Sequence, residues 1–147
     1  MKTLNISEET YIEERLNDQI NWYDLKSIKA QKYYKSLKRI EIILSSSIPL
    51  LVGFITEAKI WISIVGFIGV VITAIEGWLH ISKYHENWIE YRSICETLRH
   101  EKYMYLTRTG VYDSENPFSV LVERVESIIS KENVNWANLN SSQNGGN

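Results

Sequence analysis

Two apolar runs with almost nothing between them constrain this chain more than any other feature. "IILSSSIPLLVGFIT" occupies residues 42–56, and "IWISIVGFIGVVITAI" occupies 60–75. Only "EAK", at 57–59, separates them. The runs are 15 and 16 residues long, short of the ~20 that a spanning helix needs. Their flanks supply the rest. Leu37 and Ile40 lead into the first run, and Gly77, Trp78, Leu79 and Ile81 prolong the second. Lys38, Arg39 and Lys59 can snorkel to the interfaces. As soluble helices, two neighbours that are apolar on all sides need a large protein around them. The 147 residues present provide little cover. The expectation is an all-α membrane protein, a two-transmembrane helical hairpin over 40–81 with its turn at 57–59. Its arms extend into a cytoplasmic helical bundle.

Charge sets the expected orientation. Lys26, Lys29, Lys32, Lys35, Lys38 and Arg39 precede the first span, and Lys83, Arg92, Arg99 and Lys102 follow the second. The turn carries only Lys59, beside Glu57. The positive-inside rule then puts both termini in the cytoplasm, with a tiny turn outside. Trp61 and Trp78 stand near opposite ends of the second span, as interfacial aromatics do. No apolar h-region follows Met1, so no secretory signal is read.

The arms read as helices. Ser7 is a candidate cap with Glu8 and Glu9 in the first turn, and Thr10 with Glu13 is a second candidate capping box. Ile12, Leu16, Ile20 and Tyr23, then Ala30, Tyr34 and Leu37, recur at helical spacing, so 7–39 is one amino-terminal helix. After the second span the helix is expected to continue. Tyr84, Trp88, Tyr91, Cys95 and Leu98 form a heptad-like seam for packing or assembly, broken by Lys102 before Tyr105. The helix should stop near Gly110. "YDSENP" at 112–117 is a turn, with Pro117 suited to open a further helix. The cytoplasmic helices fill 82–136, and the 137–147 tail has a disordered composition.

Recognisable catalytic motifs are missing: no phosphate-binding glycine loop, no H-E-x-x-H and no G-x-S-x-G. The chain is read as a non-enzyme with no cofactor. One cysteine excludes an internal disulfide and a cysteine-based zinc site. His80 and His85 are five apart and share a helix face poorly, so no metal is expected. Cys95 lies on the seam and reads as a small buried residue. The net charge of −2 points to no polyanionic partner, and nucleic acid is not expected. Lys32, Lys35, Lys38 and Arg39 read as contacts to lipid headgroups.

The second span also carries polar residues. Gly66, Gly69, Thr73, Glu76 and His80 fall on one helix face, and Gly69, Thr73 and Gly77 form a small-xxx-small series that lets helices approach closely in lipid. Glu76 is costly in hydrocarbon unless paired, protonated or wet. Three readings stay open: it marks the cytoplasmic interface, it pairs with His80 or a basic residue of the first arm, or it lines the lumen of an oligomer. Glu41, at the matching end of the first span, reads as a surface residue beside Arg39. Pro49, after Ser45, Ser46 and Ser47, is a fixed kink or a hinge.

"WYDLKSIKAQKYYKSLKRIEIILSSSIPLL" (22–51), "EGWLHISKYHENWIEYRSICETLRHEKYMYLTRTGVY" (76–112) and "LVERVESIISKENVNW" (121–136) resemble SLATT proteins, the SMODS- and SLOG-associating two-transmembrane effector domains of bacteria. The resemblance is to their stand-alone branch, a domain of unknown function. It covers roughly residues 8–136 and carries no catalytic motif. It implies an inner-membrane effector of a conflict or antiphage system that forms a homo-oligomer and permeabilises the membrane. It also implies a separate upstream partner that senses infection or makes a nucleotide signal. The alternatives are a membrane-anchored scaffold whose stalk binds a partner, and a small ion transporter.

Overall fold

The computed structural model describes residues 6–53 and 59–144, with side chains described for 6–53 and 60–131. The expected turn at 57–59 falls mostly outside the described residues, as do 145–147 of the expected tail. All regular structure among the described residues is helical. The chain divides into two compact units: Met1–Asp24 with Tyr91–Asn147, and Leu25–Glu90. These boundaries lie within the expected arms rather than at the ends of the apolar runs.

In the first unit, helix α1 (Glu8–Thr10) leads into a π-helical turn (Tyr11–Leu16) and then into the start of helix α2 (Asn17–Gly53). Ser7 caps the start as expected, its Oγ accepting from Thr10 N at 3.1 Å. Thr10 caps nothing; its hydroxyl lies 2.6 Å from that of Ser7. The π turn absorbs one extra residue. Tyr11 and Leu16, five apart, are therefore both buried and continue onto the face of Ile20 and Tyr23. Simple α-spacing from Leu16 selects Ile12, which is only half-buried.

The end of helix α4 (Tyr84–Leu106) runs antiparallel to this segment. Lys102 Nζ donates to Asn17 Oδ1 (2.8 Å), Cys95 Sγ donates to Ile20 O (3.6 Å), and Arg92 and Arg99 both pair with Asp24 (3.2 and 3.1 Å). Helix α4 ends four residues before Gly110. Its end is closed by Arg108 N to Tyr105 O (3.1 Å) and Thr109 N to Met104 O (3.1 Å), with Arg108 left-handed at φ 53°. A 3-10 turn (Gly110–Tyr112) follows, then helix α5 (Pro117–Asn144), opened by its proline as expected. Helix α5 continues past Trp136 to Asn144, where composition suggested a tail; no Pro or Gly interrupts 118–144. Leu121, Val125 and Ile129 close a core with Leu16, Tyr23, Leu98, Tyr105 and Tyr112.

The second unit contains the rest of α2, helix α3 (Lys59–Ser82) and the first turns of α4. Ser27, Ala30 and Leu79 are buried in it. Tyr33 stacks on Tyr84 (5.6 Å between centroids), and Tyr34 meets His85 (4.9 Å). The apolar stretch has no such cover: Ile42, Ile43, Leu50, Ile60, Ile62, Phe67, Val70, Trp78 and Ile81 are all exposed. The helical run Ile60–Leu106 holds a window long and apolar enough to cross a membrane, none of it buried.

The expected uninterrupted helix after the second run is broken at Lys83, whose φ is +46°. Asn87 bridges the break, its N bonding Lys83 O (2.9 Å) and its Nδ2 donating to Ser82 O (3.4 Å). A left-handed side-chain-bearing residue costs about 1–2 kcal/mol, and glycine avoids that cost while adding unfolded-state entropy. Lys83→Gly should therefore stabilise the fold by about 0.5–1 kcal/mol, read as a raised thermal midpoint in detergent. An unchanged or lower midpoint would mean that the lysine side chain offsets the strain.

Candidate functional site

The polar residues of the second unit converge where the apolar runs begin and end. Lys38 Nζ lies 2.8 Å from Glu76 Oε2 and 2.9 Å from Glu41 Oε2. The first contact is an aligned hydrogen bond joining α2 to α3. The second is an ion pair without hydrogen-bond alignment, and Glu41 Oε2 itself is buried. Of the three readings of Glu76, the observed arrangement is pairing with a basic residue of the first arm. His80 is exposed and makes no bond to Glu76 among the described contacts. Glu41 is corrected: it turns inward to Lys38 instead of lying on the surface beside Arg39. Arg39 points its Nε to Lys35 O (3.2 Å).

The face Gly66, Gly69, Thr73, Glu76 and His80 is open apart from the half-buried Gly69. A Cβ built at Gly66, Gly69 or Gly77 meets nothing within 4 Å. Among the described residues these glycines therefore make no close helix approach. Four hydroxyls of the apolar runs are satisfied locally: Ser45 to Glu41 O (2.7 Å), Ser46 to Ile43 O (3.0 Å), Ser47 to Leu44 O (2.7 Å) and Thr73 to Gly69 O (3.0 Å). Such back-bonding lets polar side chains sit in hydrocarbon with their protons occupied. Helix α2 runs through Pro49 to Gly53, so the proline removes one donor without ending the helix.

The seam divides between the units. Tyr84 stacks on Tyr33, and Trp88 receives Lys35 Nζ at 5.3 Å from its ring centre, both in the second unit. Cys95 and Leu98 are fully buried in the first, where Tyr91 packs against the core. The seam's packing is thus internal to the chain. Burial pushes the Cys95 thiol up, which suits a packed residue. Lys32 and Lys35 are exposed, whereas Lys38 is engaged by the two carboxylates.

A second polar centre was not anticipated. Glu101 is 3% exposed. It accepts from Arg124 Nε (2.8 Å) and Nη2 (2.6 Å) and from the Tyr112 hydroxyl. The Arg124 guanidinium holds the Glu101 carboxyl below its usual range, against the opposing effect of burial. Burial, then the carboxylate, pushes the Tyr112 phenol up. Glu126 takes Arg15 (2.8 Å) and the Tyr11 hydroxyl (3.0 Å) in the same manner. These groups tie α4, α5, the 3-10 turn and the amino-terminal helix together. They leave no nucleophile beside a base, and no metal-binding group of three or more His, Cys, Asp or Glu occurs among the described residues.

No curated protein and no solved structure matches the chain. One family model, described as a protein of unknown function (DUF4231), matches residues 18–118, about two-thirds of the chain. The matched range takes in Lys38, Glu41 and Glu76, the whole of α3 and α4, and the buried Glu101. The chain belongs to the DUF4231 family.

Proposed function

We propose that this DUF4231 chain is a non-enzymatic, SLATT-type effector of a bacterial conflict or antiphage system. Residues 40–81 cross the inner membrane as a two-span hairpin, with both termini cytoplasmic. Several copies assemble in the bilayer into a pore or channel-like path, because two spans from one chain enclose no water. An upstream sensor, or a protein making a nucleotide signal, sets the active state. The observation that carries the reading is the uncovered face of α3. Its glycines at 66, 69 and 77 oppose nothing among the described residues, and small residues in lipid are where neighbouring helices meet.

A second reading, a membrane-anchored scaffold, draws on the Lys38–Glu76 pair. A carboxylate already neutralised by its own chain is suited to structure as well as to conduction.

Ion efflux from liposomes holding the purified protein, with oligomeric mass measured in the same detergent, tests the first reading. Defined oligomers with efflux are expected. A monomer with no efflux, even after the chain is expressed together with its neighbouring genes, would sink it. Glu76→Gln separates the two readings. In a pore it leaves Lys38 less compensated, so cation efflux relative to anion efflux should fall several-fold while expression holds. In a scaffold the substitution leaves membrane permeability unaltered.

A further inference from the structure

We infer that the second unit carries a binding belt for anionic phospholipid headgroups, formed by Lys32, Lys35 and Arg39 of α2 together with Lys83 at the α3–α4 break. The inference rests on the membrane reading above and names the lipid partner at that boundary.

Residues 25–40 contain six cations and no carboxylate. Burial divides their helix face by face. Ala30 is buried, and Tyr34, Leu37 and Glu41 are half-buried, on one side. Lys29, Lys32, Lys35 and Arg39 are exposed on the other. Along that exposed side the chemistry changes abruptly after Arg39: Ile40, Ile42, Ile43 and Leu50 are uncovered apolar side chains. The partner helix changes at the same level. Trp78 and Ile81 are exposed, and Lys83 follows.

Contacts within the unit align the two transitions. Lys38 meets Glu76 at the boundary itself, while Tyr33 and Tyr34 meet Tyr84 and His85 on the polar side. Arg39, Lys35 and Lys83 thus fall in one band directly below the apolar surface. A surface that is apolar above and cationic below complements an acyl chain ending in a phosphodiester anion. The helix dipole adds little here, since Lys32, Lys35 and Arg39 lie mid-helix, so the side-chain cations carry the attraction.

Two details sharpen the assignment. Lys38, which the sequence groups with the headgroup contacts, is excluded because Glu41 and Glu76 hold it. Lys83 enters because its left-handed backbone ends α3 where the apolar surface ends. Lys35 is steadied over Trp88, and Arg39 by the Lys35 carbonyl, so both cations are partly ordered before lipid arrives. Glu86, three residues beyond Lys83, is the nearest exposed carboxylate in sequence and lies past the band.

The test uses the full chain in nanodiscs of equal parts phosphatidylglycerol and phosphatidylcholine. The lipids retained on the protein after gentle delipidation are weighed by native mass spectrometry. Phosphatidylglycerol should be enriched, and the enrichment should fall by up to about fivefold for each of Lys32→Gln, Lys35→Gln, Arg39→Gln and Lys83→Gln. Lys32→Arg and Lys35→Arg should retain it. Equal retention of the two lipids by the parent chain would overturn the belt. So would loss of enrichment in the arginine variants, which would assign these positions to structure. Displacement of the lipid by inorganic phosphate would move the site to a soluble anion and also overturn it. A chain that fails to enter the discs at all would defeat the membrane reading itself, whereas entry without lipid preference defeats only the belt.

Discussion

Deleting Glu13 should leave the first unit folded, whereas deleting Glu123 should remove most of its stability. Both residues are exposed carboxylates on helices that face the same core. They differ in the backbone around them. Glu13 lies inside the π-helical turn Tyr11–Leu16, which already accommodates one residue more than an α-helix needs. With Glu13 gone, Tyr11 stands four before Leu16, the ordinary same-face spacing. The expected change is within about 1 kcal/mol, because the buried set is kept. Glu123 lies in regular α-helix between Leu121 and Val125. Its removal turns Phe118 and Leu121 by ~100° relative to Val125 and Ile129. Leu121 is fully buried and Phe118 packs on the core, so the cost is about 5 kcal/mol. That is comparable with the entire stability of a small domain. Denaturant titrations of both deletions in one detergent provide the check. A Glu13 deletion as damaging as that of Glu123 would show that the π turn is required rather than absorbed.

The second large effect is expected at Glu101. Glu101→Ala strips the acceptor from the buried Tyr112 hydroxyl and from both Arg124 donors. Breaking a fully buried ion pair costs roughly 3–5 kcal/mol, but Arg124 is 47% exposed and regains water. The net loss should be about 3 kcal/mol. Glu101→Gln, which keeps one acceptor oxygen, should lose less.

The pH dependence has a defined sign. The carboxyls of Glu101 and Glu126 are held below their usual range in the fold, chiefly by Arg124 and Arg15 respectively. Their contribution is complete above the unfolded carboxylate value of about 4.3. It is lost as pH falls through the lower folded values. Thermal scans from neutral pH downward should therefore show a decline below about pH 4 that is shallower in Glu101→Gln. An identical acid limb in that variant would remove Glu101 from the account.

The helices were legible in the chain because their signals are local. Ser7 with two following glutamates, Pro117 after a turn, and apolar steps such as Leu16 to Ile20 to Tyr23 each act within one or two turns of helix. The buried glutamate was hidden by an ambiguity of spacing. From Leu98 to Tyr105, steps of three then four select Glu101, and steps of four then three select Lys102. Pattern alone cannot rank them, and a carboxylate is ordinarily placed outside. Its partner Arg124 lies 23 residues away, beyond any local signal. The break at Lys83 was missed for a related reason. Lysine does not announce a left-handed backbone as glycine or asparagine would. At Glu76 the chain offered a carboxylate, and at 26–39 six cations, so a pair was foreseeable. The choice of Lys38 needed α2 beside α3. The inward turn of Glu41 follows from the same pairing, since Lys38 lies three residues before it on α2.

The first unit builds its interior partly from phenols whose hydroxyls end on acids: Tyr11 on Glu126, Tyr105 on Glu8 and Tyr112 on Glu101. All three phenols are pushed up, mainly by burial, Tyr105 to about 12. In the unfolded chain a tyrosine ionises near pH 10. Between that point and the higher folded values, only the unfolded chain gives up the proton, so alkali draws the equilibrium toward it. The bonds that fasten these rings thus set an upper boundary as well as a lower one. The bundle should be a neutral-pH structure that loosens in base as well as in acid, with Tyr11, Tyr105 and Tyr112 ionising only as the helices melt.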